Sequence, residues 1–438
     1  MIEILVAITG SVFLVELVLL VQAFRYASRT RSRRWAPFHP KVAVIAPHYG
    51  WEGGTEENVR RLLDLDYGGS YRVYFVTHRN ERGADSSHDH LRRIAAGDSR
   101  ARVLLARNVV DEGRQRSQKA ENLLTALEAV DDDVEVFAFV DADAGIDRDW
   151  LARLVEPLQD REIGVSTGAR FYAPLVPSIV SYTEAVWVNF QIPLYSVPRI
   201  GMVWGGSSAI RRDVFDEGGI RRRWERATFE DQHMTKAMTE LGRRIHFVPD
   251  VLPSHFSGER RWKQVLEFTN RQMAVTYWMG LRVSWVLSLT LLLPKGLVFA
   301  LTLPLVLFEP ARFYPLLAVP LLESGSYLLF AMTLPERIRR DPRIRRTLVL
   351  SSLTVPFALL LGGVNGVCAV FKRSIVWGRV RYTNRGPDGC RVLGRVEPKP
   401  EREPRFGRVL RGARYPLARI LGVVDPGLGL EDLSEGED

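Results

Sequence analysis

The stretch Val134-Glu-Val-Phe-Ala-Phe-Val140-Asp141-Ala-Asp143 decides how the chain reads. Six of its first seven residues are apolar, the length and composition of a buried strand, and the run stops on two acids separated by one residue. In a turning backbone two such carboxylates can face one side. Hard oxygen ligands at a strand end suit Mg²⁺ or Mn²⁺, which takes its remaining ligands from water and a diphosphate. A solvated loop after a strand is the plainer reading of Asp141-Ala-Asp143.

Outward from that strand, strand-like and helix-like segments alternate from Lys41 to Arg170. Lys41–Ala46, Tyr71–Thr77, Ala101–Leu105 and Ile163–Thr167 read as strands. Thr55–Leu65, with Thr55 as N-cap, Leu91–Ala96 and Lys119–Val130 read as helices. The alternation predicts an α/β fold with a mostly parallel sheet, whose ligands bind beyond the carboxyl ends of the strands. Asp141 and Asp143 fall at such an end. Further on, Glu230-Asp231 opens a helix over Gln232–Leu241. Capping explains acids in a first turn; an adjacent pair also suits a carboxylate base that deprotonates an acceptor hydroxyl.

The apolar residues are concentrated in a few runs. Ile2–Phe24 is long enough to cross a bilayer and is followed by five arginines between Arg25 and Arg34, which predicts an outside N-terminus and a cytoplasmic domain after it. Glu16 inside this run is a cost. Val283–Phe308, Phe313–Leu334 and Thr347–Phe371 form a C-terminal membrane region, with Lys295 and Glu323 inside it. Basic flanks at Arg337–Arg346 and at Lys372–Arg381 cannot both be cytoplasmic if every run spans once, so one run is re-entrant, interfacial or a hairpin. The segment 171–203 is aromatic and poorly charged; it is either buried domain or an amphipathic strip in the membrane interface. The expected layout is an N-terminal membrane helix over 1–25, a catalytic domain over 40–280, a membrane region over 281–372, and a basic segment over 373–438 whose tail from Glu397 is partly disordered.

The net charge of +9 sits beside apolar runs, which points to a membrane surface, and no nucleic-acid-binding pattern is present. Cys368 and Cys390 make no disulfide framework or metal pattern. His88-Asp89-His90 lies in a polar loop with no third partner, Arg221–Arg223 reads as a solvated patch, and Trp51–Gly54 is not a Walker loop. His255 is a weak candidate for approaching the metal from a later loop.

The order of these motifs resembles the family 2 glycosyltransferases and, within them, the ceramide glucosyltransferase-like group. The resemblance runs from Lys41 to Tyr382. It rests on the strand VAVIAPHYG, on Ser117–Leu123 with Lys119, on the metal-binding type of Asp141-Ala-Asp143, on the glycine loop and following segment Trp204–Phe215, on Glu230-Asp231, and on Ile375–Tyr382. The resemblance implies a GT-A type, Rossmann-like fold and an inverting transfer of one sugar, as a hexosyltransferase, from a nucleotide-sugar donor, of the UDP-sugar kind, to a lipid acceptor at the cell membrane. It implies that Asp231 is the base with Glu230 beside it, and that Lys119, Asp141, Gly205 and Gly206 serve the donor. It also implies that Asp141 and Asp143 hold Mg²⁺ or Mn²⁺. Glu81 or Asp85 stands near, not at, the family's base-reading acid. Arg271 keeps the first position of a motif whose Arg-Trp end is here Ala274-Val275; it is a phosphate partner or an arginine reaching for lipid headgroups. A processive polysaccharide synthase and a non-catalytic membrane scaffold are the competing readings.

Overall fold

A computed structural model of the chain describes residues 2–51, 54–78, 86–197, 200–255, 260–280, 282–384, 386 and 388–397. Glu81, Asp85 and the tail beyond 397 lie outside the described residues.

Seven strands form the central sheet: β1 (Val42–Pro47), β2 (Tyr71–His78), β3 (Ala101–Ala106), β4 (Val136–Val140), β5 (Ile163–Thr167), β7 (Ser207–Arg211) and β8 (Arg244–Phe247), in the order β3-β2-β1-β4-β7-β5-β8. β1, β2, β3 and β4 run parallel, as do β5 and β8, while β7 lies antiparallel between β4 and β5. The strands are apolar on both faces because helices cover both; Val44, Ala138 and Val73 pack on one side and Ile45, Phe139 and Val76 on the other. This is the mostly parallel α/β sheet expected of a GT-A enzyme. β6 (Phe171–Tyr172) and β9 (Ser254–His255) pair in parallel beyond it. One sequence expectation is corrected locally: Gly54, at φ 89°, is the cap of the helix Thr55–Leu63, and Thr55 is its first residue.

The first helix, Ile2–Ser32, buries one stripe (Thr9, Val12, Glu16, Leu20, Ala23, Ala27) and exposes Leu14, Val18 and Phe24 on the other side. Such two-sided apolarity fits a helix with protein on one flank and lipid on the other. Its Thr9–Ser32 portion and Leu289–Phe308 are the two described helices long and apolar enough to cross a membrane. The helix Arg282–Phe308 packs antiparallel on Val355–Phe371: Trp285 Nε1 donates to Gly366 O at 3.1 Å, while a Cβ at Gly296 would stand 2.9 Å from Leu360 Cα. Small residues thus let the two backbones close up. Pro342–Ser352 and Val355–Phe371 form a pair bent by 67°. Before this pair, Arg337 donates to Asp250 O; after it, Lys372 O accepts from Trp278 Nε1 at 3.1 Å. Both basic flanks of the pair therefore pack against the α/β domain, and the bend is that of a broken span or of a re-entrant loop. Lys295 on Arg282–Phe308 meets Glu323, on the helix Ala318–Phe330, at 2.7 Å and also Glu16 of the first helix, so three ionisable side chains scattered along the sequence face one another.

The segment 171–203 contains the helix Ile179–Asn189, whose Thr183, Glu184, Val186 and Trp187 are buried, while Leu175, Val176 and Ile179 are exposed. After Phe371 the chain returns to the catalytic domain as an antiparallel sheet of β10 (Ile375–Trp377), β11 (Val380–Asn384) and β12 (Cys390–Arg395). It is tied down by Gln118 N donating to Tyr382 Oη at 3.2 Å and by Arg395 with Asp111 at 2.8 Å.

Candidate active site

The carboxyl ends of β1 and β4 open on a cleft of about 550 Å³. Ser117 caps the helix Gln118–Ala129, accepting from Ala120 N at 3.2 Å, and so places Lys119 in the first turn facing β4. There the Lys119 ammonium bridges Asp141 Oδ1 and Glu230 Oε1, each at 2.6 Å. Burial alone would lower its pKa, yet Asp141 and then Glu230 hold it above the usual lysine value. Arg170, just beyond β5, takes the other side of the acid pair: its guanidinium lies 3.0 Å from Asp141 Oδ2 and 3.5 Å from Asp143 Oδ1. His255 Nδ1 stands 3.3 Å from Asp143 Oδ2, carried there by the pairing of β9 with β6. Against the upward push of burial, Arg170 and then His255 hold the Asp143 carboxyl well below its usual range.

Glu230 and Asp231 open the helix Glu230–Glu240, as the sequence suggests, but their surroundings differ. Glu230 is buried and pinned by Lys119. Among the described residues no cation is in direct contact with Asp231; its carboxylate accepts from Gly205 N at 3.2 Å and Gln232 N at 2.7 Å. Burial, and next the charge of Glu230, push it up to about 7. Gly205 and Gly206 matter through closeness. A Cβ on Gly205 would fall 2.2 Å from Glu230 Oε1, and one on Gly206 would fall 2.2 Å from the Trp204 ring and 2.6 Å from Asp141 Oδ2. The glycine pair is thus the backbone against which the acids are set, with Asp141 N donating to Gly206 O at 3.2 Å. Arg271 also reaches this cleft, donating to Val376 O at 3.4 Å.

Sequence reasoning did not single out Arg170, although its place just past a strand's carboxyl end is where such a fold puts ligand groups. It gave His255 little weight, and the structure sets that histidine beside Asp143. Trp377 and Tyr382 were read as a juxtamembrane ending; both wall the cleft, with Trp377 stacked on Phe229 at 5.8 Å.

A second, narrower cavity of about 210 Å³ lies between the first helix, Ile179–Asn189, Trp262–Trp278 and the two packed membrane helices. Leu19, Leu20, Phe190, Leu291 and Leu359 give it apolar walls. Asp231 lines both cavities.

The family described as glycosyl transferase family 21 matches residues 4–385. The chain belongs to glycosyl transferase family 21. It is the ceramide glucosyltransferase-like family that the motif order pointed to, and this glycosyltransferase is accordingly an enzyme of sugar transfer. No curated protein matches the sequence. Among solved structures the chain is similar to the mannosyltransferase PcManGT from Pyrobaculum calidifontis in complex with GDP-Man and Mn²⁺, at 18% identity and a TM-score of 0.43 over 83% of this chain and 99% of that one. It is also similar to glucosyl-3-phosphoglycerate synthase from Mycobacterium tuberculosis, in complex with Mn²⁺, UDP-glucose and glycerol 3-phosphate. There the identity is 16% and the TM-score 0.34, over 54% of this chain and 79% of that one. Likenesses this distant carry no argument about donor or acceptor.

Proposed function

We propose that this glycosyltransferase moves one sugar from a nucleotide-sugar donor to a hydroxyl of a membrane lipid, with inversion at the anomeric carbon. The observation that carries the reading is the position of Asp231, at the junction of a charged cleft and an apolar cavity among membrane helices. The donor, polar and anionic, lies in the first; the lipid reaches Asp231 through the second.

Asp231 accepts the proton of the acceptor hydroxyl as its oxygen bonds to the anomeric carbon. The bond from that carbon to the diphosphate breaks, and the diphosphate leaves with the electron pair. A base poised near neutrality is suited to this work. Glu230 orients Lys119, and Lys119, Arg170 and Arg271 line the cleft where the leaving group's charge develops. Among the described residues no three ligands form a ready cage for a metal. Asp141, Asp143 and His255 would nevertheless offer the oxygen and nitrogen donors that Mn²⁺ or Mg²⁺ accepts, with the donor's diphosphate supplying further oxygens. A divalent cation held there supplies neutralisation of the leaving diphosphate. The arginines after the first helix and beside the bent pair support a cytoplasmic catalytic domain.

The test is incubation of membranes carrying the full chain with a panel of radiolabelled nucleotide sugars, followed by solvent extraction. Label in the organic phase, on a product of inverted configuration, is expected. Label in an aqueous polymer, or no transfer at all, would overturn the reading.

A further inference from the structure

Gln191, Gln232 and Gln272 come from three separate parts of the chain, yet each borders both the charged cleft and the apolar cavity, where Asp231 also lines the two. Neutral amides thus gather at the junction. Transfer from a donor in the cleft to a hydroxyl at Asp231 puts the anomeric carbon there, and with it the sugar ring. An amide suits such a ring, because it offers both a donor and an acceptor, as each sugar hydroxyl does.

The three glutamines are not equivalent. Gln191 Nε2 is committed to Trp187 O at 3.0 Å. Gln232 is 9% exposed, and its side-chain carbonyl oxygen is buried with no hydrogen-bond partner among the described residues. A buried amide oxygen left unpaired is costly, which calls for a ligand that donates to it. Its place beside the base is fixed by the backbone: Gln232 lies in the first turn of the helix Glu230–Glu240, and its N–H donates to Asp231 Oδ1 at 2.7 Å.

We propose that Gln232 reads the sugar being transferred, its side-chain amide hydrogen-bonding one ring hydroxyl. This rests on the reading above of a nucleotide sugar in the cleft with Asp231 as base, and deepens it. Turned about its last bond, the amide either accepts from that hydroxyl or donates to it. Lys119, Arg170 and Arg271 face the diphosphate and are blind to which sugar it carries; Gln232 is not. A donor lacking that hydroxyl leaves the amide unpaired in a closed site, a mismatch such sites reject strongly.

The experiment uses the purified full chain in nanodiscs and the nucleotide sugar that gives most transfer in the panel above, with its mono-deoxy analogues, one for each sugar hydroxyl. Calorimetry without acceptor compares these ligands and the bare nucleoside diphosphate on the wild type, Gln232→Leu and Gln232→Asn. One deoxy analogue is expected to bind the wild type about tenfold more weakly than the parent. Gln232→Leu should bind the parent at that weakened level and lose nothing more with the same analogue, the signature of a direct pair in a double-mutant cycle. Its affinity for the bare diphosphate should match the wild type. Gln232→Asn, one methylene shorter, should lose the same coupling and decides the matter should Gln232→Leu fail to fold. A wild type indifferent to every deoxy position, undiminished discrimination in the variants, or an equal loss of bare diphosphate would overturn the proposal. Transfer from a donor whose hydroxyls show no coupling to Gln232 sinks this role and leaves the glycosyl-transfer reading intact; transfer from no donor sinks both.

Discussion

Replacing Asp231 by Asn removes the carboxylate of the acid pair that, among the described residues, no cation holds in direct contact. Asn keeps the size and accepts one of the two backbone hydrogen bonds from Gly205 and Gln232, but it cannot take a proton. Loss of a positioned general base costs about 10²–10⁴-fold in rate. Donor affinity should hold, because Lys119 keeps both Asp141 and Glu230 at 2.6 Å. The pH dependence gives a second, independent magnitude. With Asp231 pushed up to about 7, the ionised and competent form predominates above neutrality. One unit below that value roughly one-tenth of the enzyme is competent, so single-turnover rates should fall about tenfold per unit as pH drops through 7. Asp231→Asn should be flat over the same range. A raised carboxylate pKa also means that ionisation costs stability as pH climbs from the ordinary aspartate value towards 7. The variant should therefore melt no lower than the wild type at pH 8. Single-turnover kinetics from pH 5.5 to 8.5, nucleotide-sugar calorimetry and thermal melts together make the test. A wild-type rate independent of pH, or a variant keeping most of its turnover, would refute the reasoning.

Four further outcomes are expected. Gly205→Ala drives a methyl to within 2.2 Å of Glu230 Oε1, so Glu230 must leave Lys119; a displacement of about 1 Å in such a site costs on the order of 10²-fold in kcat, with soluble expression retained. Arg170→Met strips the guanidinium from Asp141 and Asp143, while Lys119 still holds Asp141; the chelator-treated protein should be destabilised by about 1–2 kcal/mol in denaturant titrations, and Mn²⁺ should restore much of this. Excess chelator should abolish transfer by the wild type, and Mn²⁺ or Mg²⁺ should recover it. Trp377→Ala removes a ring that walls the donor cleft and stacks on Phe229, and should raise the donor KM about tenfold while melting temperature changes little.

The legible and illegible parts of this chain differ in a physical way. β1, β2, β4 and β5 are short apolar runs bounded by polar turns, and a fully buried parallel strand has little else to be. β7 escaped because Ser207-Ser208-Ala209 carries almost no apolar surface, although all three residues are completely buried between β4 and β5. The C-terminal sheet escaped for a related reason: β11 and β12 are rich in basic residues, and their partners lie in the catalytic domain some 260 residues earlier. Spacing singled out Asp141, Asp143, Glu230 and Asp231 as candidates, and the structure brings all four to one cleft. The division of labour between Glu230 and Asp231 could not, since it depends on which of two adjacent acids Lys119 reaches. The same limit applied to Glu16, Lys295 and Glu323, which no local pattern connects.

The placement of Trp377 and Tyr382 bears on how the enzyme comes into being. A growing polypeptide makes the Lys119 helix, the acid pair and the glycine loop long before the ribosome reaches Ile375. Until the chain beyond Phe371 has folded back, the cleft has no wall on that side and Gln118 N lacks the Tyr382 hydroxyl. Completion of the cleft therefore waits on the folding of the segment that follows Phe371. A chain cut short before Ile375 would hold Lys119, the acids and the glycine loop, and still have an unfinished pocket.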